Sequence, residues 1–309
     1  MTPASPISVF LTAARYHARV NGQVERRERA LCEERTVPGF NVEHFQQVLR
    51  TRSIGRLCHY LPVIASTNAT ARLLGRQGRA EGSIVLADAQ TAGRGQAGKV
   101  WISPPERNVY VSILLRPAIA PAQAPLISLM AAVALVDTLR QEGAAGGIKW
   151  PNDVLLQQRK VAGILTEMEI SRDAVHFVVV GIGINVNMTQ TELERDLGPI
   201  ALSATSMAVA LGREICREGL LAALMESLER WYDRFRAEGA LALHDAWEAR
   251  SLMRGRRVSA RTPEASWKGM AEGIDQAGRL LLRREEGGLL ALTSAEVRFL
   301  DCAMLGCAG

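Results

Sequence analysis

Lysine is nearly missing from this chain. Of its 37 basic residues only Lys99, Lys149, Lys160 and Lys268 are lysines, and the other 33 are arginines spread without a polybasic run. Binding nucleic acid through charge wants basic residues gathered on one helix or stripe. The net charge of +5 is therefore read as an arginine-biased, solvated surface, and no specific DNA contact is expected. Cysteine is also sparse: Cys32, Cys58, Cys216, Cys302 and Cys307 are scattered, odd in number and never spaced C-x-x-C. That usage argues against a disulfide framework or a zinc site and fits a reducing compartment, the cytoplasm. No apolar run approaches the roughly 18–20 residues that span a bilayer. The longest, 127–136, is cut by Ser128 and stops at Asp137, so no membrane association is expected. The five histidines are isolated, and both G-x-S-x-G and H-E-x-x-H are missing, which leaves hydrolysis by a triad or a zinc ion without support.

What remains is ordinary globular material, 48% apolar and 22% charged over 309 residues, enough for about two domains. Residues 1–40 are charged, lack an apolar period and read as a poorly structured extension without a secretory leader. From Asn41 the pattern sharpens into a short capped helix to Leu49, a strand over 56–64, and a helix from Ser66 or Thr67 to about Gln77. Strands follow at 83–87 and 109–115, then a helix over 125–142 and four consecutive strands at 148–150, 154–156, 161–169 and 176–186. Helices are expected at 203–212 and 218–238. This order predicts an α+β body over 41–250, a mixed and mostly antiparallel sheet with helices on one side. Residues 251–300 change texture to short strands between turn residues, which suits a small β-barrel of about 50 residues, followed by a tail at 301–309.

Three of the four lysines lie between positions 99 and 160, inside motifs. The stretch 90–101, QTAGRGQAGKVW, brings Gly93, Gly95 and Gly98 together with Arg94, Lys99 and Trp101. Glycines there let backbone amides approach an anion, and the cations add charge. It is not a P-loop, because Val100 stands where a magnesium-holding Ser or Thr is needed and Pro104-Pro105 prevent a helix from starting. In Lys149-Trp-Pro-Asn-Asp153, the proline fixes where the lysine at the strand end points, beside oxygen-bearing Asn152 and Asp153. Lys160-Val-Ala-Gly163 and Gly181-Ile-Gly183-Ile-Asn185 place glycines inside strands, where they weaken the sheet unless something approaches the backbone closely. Together they predict a site wall stripped of side chains for a flat ligand.

Taken with Ser66-Thr67-Asn68, these five motifs, in this order and spacing, resemble the biotin–protein ligase family over about residues 41–300. The resemblance implies a class II synthetase-like catalytic domain and an SH3-like C-terminal barrel. It implies that biotin and ATP form biotinyl-5′-AMP and pyrophosphate, with Mg2+, and that biotin then passes to one lysine of a carrier domain of acetyl-CoA carboxylase or a related carboxylase. It implies Lys149 and Arg94 as catalytic residues. Ser66, Thr67, Asn68, Gln90, Gly93, Arg94, Gly95, Gln96, Lys149, Gly163 and Gly183 would contact biotin. Arg94, Gly98, Lys99, Trp101, Asn152, Lys160 and Asn185 would contact ATP or the adenylate, and no metal ligand is assigned. A homodimer is compatible with this reading. Some family members carry an N-terminal helix-turn-helix repressor module, and the pattern of the first 40 residues shows no two-helix signature, so a ligase without repressor function is expected. The rivals are a lipoate–protein ligase, whose Arg-Arg-x-x-Gly-Gly-Gly motif is missing here, and a non-catalytic biotin-sensing regulator.

Many members carry further arginines in the glycine-rich loop where this chain has Gln96 and Ala97. Fewer cationic donors predict weaker retention of the adenylate. Rapid quench should show more free biotinyl-5′-AMP from the wild-type chain than from Gln96→Arg; a lower yield from the wild type overturns this expectation.

Overall fold

The computed structural model describes residues 39–300, so the readings for 1–38 and for the tail lie outside the described residues. A seven-stranded sheet is built from β1 (Cys58–Ile64), β2 (Ile84–Gln90), β3 (Val109–Leu115), β4 (Gly146–Lys149), β5 (Asp153–Leu156), β6 (Arg159–Ser171) and β7 (Ala174–Ile184). Its order is β1-β2-β3-β7-β6-β5-β4, with β1 parallel to β2 and every other pair antiparallel. Strand β3, VYVSILL, is buried at every position, as a central strand covered on both faces must be.

The alternation of side chains along the strands decides which helix covers which face. Ile84, Leu86, Ile113 and Leu115 join the main core with α3 (Ala124–Gln141). Helices α6 (Arg217–Glu238) and α7 (Ala240–Glu248) pack against α3 in turn. Enclosed from several sides, α3 is apolar all round. By length and composition the stretch Pro121–Gln141 could cross a membrane, but 72% of its most apolar 18 residues is buried inside the protein. A short N-terminal helix, α1 (Val42–Val48), is capped by Asn41 and packs against α6.

The expected mixed, mostly antiparallel sheet is present, and its main helical layer lies on one side. One helix departs from that layer. Val85 and Leu114 point to the opposite face and meet Ala71 of α2 (Thr67–Arg76) together with Phe177 and Val179. The physical reason is the apolar stripe of α2, which finds the odd-numbered half of β2 and the even-numbered half of β3. The helix expected over 203–212 is also divided. A 3-10 turn spans Gly198–Ser203, and Ser206 then caps a short α5 (Met207–Leu211) by accepting from Val209 N at 3.1 Å. Helix α4 (Gln190–Leu197) was not anticipated, although Thr189 and Glu192 form a capping box at its start. Gly239, at φ +71°, separates α6 from α7.

The C-terminal strands β8 (Arg257–Arg261), β9 (Ser266–Ile274), β10 (Leu280–Arg284), β11 (Leu289–Leu292) and β12 (Glu296–Phe299) form an antiparallel sheet in the order β11-β10-β9-β8-β12. It is tied to the larger sheet through the outer edge of β4. Ile148 N donates to Arg250 O at 2.8 Å, Leu252 N donates to Ile148 O at 2.9 Å, and the Trp150 indole donates to Gly278 O at 3.0 Å. Of the described cysteines, Cys58 is a free thiol.

A buried ion pair fastens the start of the body. Arg217, 1% exposed, donates to Asp88 at 2.7 Å and to Asn108 O at 3.1 Å. Asp88 also accepts from Phe40 N at 3.0 Å and from the Tyr60 hydroxyl. Burial and the bond to Asp88 push the Tyr60 phenol up to about 12. Removing one partner of such a pair strands the other charge in the core. Arg217→Met should therefore lose about 3–5 kcal/mol of stability in urea unfolding. The double variant Arg217→Met/Asp88→Asn should recover most of it; no recovery would mean that the loss is one of packing.

Candidate functional site

The face of the seven-stranded sheet opposite α3 opens into a cleft of about 1920 Å³ that runs from the start of α2 to the C-terminal sheet. It is larger than a typical small-molecule pocket of about 300–1,000 Å³. Six cations line it (Arg94, Lys99, Lys149, Lys160, Arg261, Arg298) against three carboxylates (Asp153, Glu264, Glu296), so the cleft favours an anionic ligand.

The inner end is polar and closely bonded. Ser66, Thr67 and Asn68 are buried where the chain enters α2, with Ser66 as its N-cap. Gln90 Oε1 accepts from Thr67 N at 2.9 Å and from the Thr67 hydroxyl at 3.1 Å. Gln90 Nε2 donates to Ser103 Oγ at 3.0 Å, and that hydroxyl donates to Trp101 O at 3.0 Å. Gly181 makes room for Asn68, since a Cβ there would lie 2.0 Å from Asn68 Oδ1.

The stretch 93–101 folds as a small hairpin. Trp101 N bonds to Gly93 O at 3.0 Å and Gly95 N to Lys99 O at 2.6 Å, and the turn passes through Ala97 and Gly98 at φ +53° and +74°. The glycines were expected to admit an anion; two have local tasks instead. A Cβ on Gly93 would strike Trp101 O at 2.3 Å, while Gly98 meets nothing within 4 Å and serves only the turn. Arg94, Gln96 and Lys99 remain exposed along the cleft, and Lys99 Nζ reaches Glu296 of β12 at 3.1 Å.

The hairpin lays the Trp101 indole on the sheet. Gly163 of β6 and Gly183 of β7 are paired in register, and a Cβ on either would come within 2.9 Å or 2.5 Å of the ring. The bare wall expected to receive a flat ligand thus carries the protein's own indole. Lys160 Nζ stands 5.3 Å from the ring centroid and 2.5 Å from Asp153 Oδ1. Lys149 Nζ is 3.8 Å from the other oxygen of Asp153. Burial pushes the Lys149 ammonium below the ordinary lysine range, Asp153 pulls it back, and Lys160 and Lys99 push it down further. Trp101 Nε1 is buried with no hydrogen-bond partner among the described residues.

Asn152 and Asn185 also line the cleft, but their amides hold the scaffold. Asn152 Nδ2 donates to Ile164 O at 2.5 Å and Asn185 Nδ2 to Thr205 O at 3.1 Å. Every other residue singled out from the sequence lines the cleft except Gly93 and Gly98. The sequence reading missed Ser103, Ser112, Asp153 as the partner of both lysines, Glu167 and Glu296. Ser112 carried a signal: it is a small polar residue in a strand of aliphatic residues and one tyrosine.

Comparison with known proteins accords with this geometry. Residues 60–185 match the Biotin/lipoate A/B protein ligase family and residues 255–300 the Biotin protein ligase C terminal domain. A bifunctional ligase/repressor BirA of Bacillus spizizenii is 40% identical over 242 residues, 77% of this chain and 73% of that protein. A biotin–[acetyl-CoA-carboxylase] ligase of Paracoccus denitrificans is 38% identical over 243 residues, 76% of this chain and 97% of its own length. The biotin protein ligase of Aquifex aeolicus, solved with biotin and ATP, superposes with a TM-score of 0.66 at 27% identity, covering 79% of this chain and 99% of that one.

Because Asp153 is the carboxylate supporting the Lys149 charge, Asp153→Asn should make Lys149 lose its proton at lower pH. Mass spectrometry of Lys149 acylation by an amine-selective reagent across pH reads this directly. An unchanged midpoint would show that Asp153 does not support that charge.

Proposed function

The chain belongs to the biotin protein ligase family, and we propose that it activates biotin with ATP to biotinyl-5′-AMP, releasing pyrophosphate, and then transfers biotin to one lysine of a biotin carboxyl carrier domain. The observation that carries this reading is the continuity of one cleft from a neutral, hydrogen-bonding end at Ser66, Thr67 and Gln90 to a cationic middle at Lys149, Lys160 and Arg94. The first end suits a ureido ring, whose carbonyl and N–H groups need donors and acceptors rather than charge. The second suits two anions that must meet, the carboxylate of biotin and the α-phosphate of ATP.

Lys149 is the group best placed to hold them together. Its ammonium is partly desolvated, so its field is screened less than that of a surface lysine, and Asp153 favours its charged form. Arg94 enters from the hairpin with a planar fork that can follow the carboxylate oxygen as it becomes an anhydride. Gly95, Gln96 and Lys99 on the same hairpin cover the product, a mixed anhydride that water would destroy. Trp101, backed by Gly163 and Gly183 and flanked by Lys160, supplies an aromatic wall for the adenylate.

Magnesium would supply charge neutralisation on the nucleotide phosphates. No group of three His, Cys, Asp or Glu side chains gathers to hold a metal among the described residues. Asp153, the carboxylate nearest the lysines, is already engaged by them. The residues therefore do not fit a dedicated metal cage, and every contribution above is made by the chain's own side chains.

The carrier domain is that of acetyl-CoA carboxylase or a related carboxylase, and the setting is the cytoplasm. A reading as ligase without sequence-specific DNA binding is supported by the dispersed arginines. Biotin, and not lipoate, should elicit ATP-dependent pyrophosphate release and carrier labelling, and Lys149→Ala should reduce the rate by about 10²–10³-fold. Release with lipoate alone would overturn the substrate; no release with either acid would leave a binding protein.

A further inference from the structure

Strand β4 carries Lys149 at its end and is only four residues long. Its inner edge pairs with β5, Ile148 against Val154 and Lys149 against Asp153, and it is the last strand of the seven-stranded sheet. Along its outer edge lies the segment 250–252, which grips Ile148 twice. Arg250 O accepts from Ile148 N at 2.8 Å, and Leu252 N donates to Ile148 O at 2.9 Å. Gly147 admits this segment, since a Cβ there would lie 2.5 Å from the Leu252 side chain and 3.0 Å from Arg250 O. Lys149 therefore stands one residue beyond a backbone clamp, and the place of its strand depends on what holds residue 250. Three helices hold it. The Arg250 guanidinium donates through Nε to Asp137 of α3 at 2.7 Å and through a terminal nitrogen to Ala246 O at 2.7 Å, in the last turn of α7, where helix carbonyls lack partners of their own. The other oxygen of Asp137 accepts from the Trp231 indole of α6 at 2.9 Å, and the guanidinium lies 5.5 Å from the centroid of that ring. A planar fork can bond an acid and a carbonyl at once while lying against an aromatic face. Neither Asp137, Trp231 nor Arg250 lines the cleft.

We propose that Arg250 is a positioning residue for Lys149: it ties the outer edge of β4 to the helical layer through Asp137, Trp231 and Ala246, and so fixes where the ammonium stands in the cleft. This rests on the proposed function, in which Lys149 holds the two reacting anions together. Asp153 does not supply the same anchor. It sits on the β4–β5 hairpin with Lys149, so it moves with the lysine and supports its charge rather than its place. The Trp150 indole adds a tether to Gly278 O at 3.0 Å, which joins β4 to the C-terminal sheet and not to the helices. The Arg250–Asp137 pair is 16% and 20% exposed, so solvent screens it less than a surface ion pair. Stabilisation of charge in a transition state depends on distance, and a misplacement of about 1 Å arising far from the chemistry can cost up to about 10²-fold. Removal of the fork should therefore act on the rate through Lys149 alone.

The test is a double-substitution cycle on the full chain, read by pyrophosphate release with biotin and ATP and expressed per folded chain, with melting temperature measured alongside. Arg250→Leu keeps an apolar side chain against Trp231 but removes the fork. It should lower kcat by about tenfold and leave KM for ATP within about twofold. In a Lys149→Ala background the same substitution should change kcat by less than about twofold, because no ammonium is left to misplace. A tenfold loss in both backgrounds is general damage and overturns the inference, as does an unchanged kcat in the first. A second readout needs no turnover. Burial holds the Lys149 ammonium below the ordinary lysine range, and a loosened β4 admits water to it while Asp153 stays beside it. The pH midpoint of Lys149 acylation should therefore rise in Arg250→Leu; an unmoved or lower midpoint overturns the inference. If Arg250→Leu does not fold, Asp137→Asn leaves one acceptor oxygen where Arg250 and Trp231 need two, and should move kcat and midpoint in the same directions by about threefold or less. No movement in that variant overturns the inference. A wild-type chain that releases no pyrophosphate with biotin, but whose Lys149 midpoint rises in Arg250→Leu, overturns the proposed function and leaves the anchoring of the lysine standing.

Discussion

Everything in the cleft depends on one bare pair of positions. Gly163 and Gly183 face each other across β6 and β7, and the space that their missing side chains leave is filled by the Trp101 indole. A methyl at either position would sit inside the ring's van der Waals envelope, so the hairpin that carries Arg94 and Lys99 takes its height above the sheet from these two residues. Lys160 is placed over the ring by the same contact, and through Asp153 it is tied to Lys149. Backbone contact, aromatic face, cation and carboxylate form a single stack, and each member loses its partner if the floor is raised.

Electrostatics within that stack are a balance of opposed effects rather than a sum of attractions. Burial works against the Lys149 ammonium, and so do its lysine neighbours. One carboxylate, shared between two lysines, keeps the local charge positive without cancelling it. An incoming anion is attracted to the surplus and relieves the repulsion between the cations. The polar end of the cleft works differently. There the Thr67 and Gln90 groups are joined by hydrogen bonds, and among the described residues no ion pair faces the opening. The two ends divide the labour: one recognises by donor and acceptor pattern, the other by charge.

Much of this was legible beforehand. Strand β3 and helix α3 stand where their apolar patterns place them, Ser66 caps α2, and the lysine-bearing motifs converge on one cleft. The scarcity of lysine pointed to the stretch 99–160, and the three lysines of that stretch all line the cleft. What the sequence did not disclose is mostly a matter of faces and partners. Glycines inside strands announce a close approach but not by what, and here the visitor is a tryptophan from a hairpin more than sixty residues earlier. Asn152 and Asn185 sit in the right motifs, yet their amide groups are taken up by Ile164 and Thr205. Ser112 and Glu167 belong to no local motif, because they meet Asn68 only once β3, β6 and α2 are stacked.

The unpartnered Trp101 indole nitrogen has a consequence for any ligand that reaches it. Its N–H is already stripped of water by the hairpin and the sheet, so the cost of dehydrating that donor has been met by folding rather than by binding. An acceptor brought to that edge would gain the bond while surrendering only its own hydration. The same contact on an exposed tryptophan would have to displace water from both sides. Dehydration met by folding in this way favours binding in advance, and its place is the ring that the two glycines hold against the sheet.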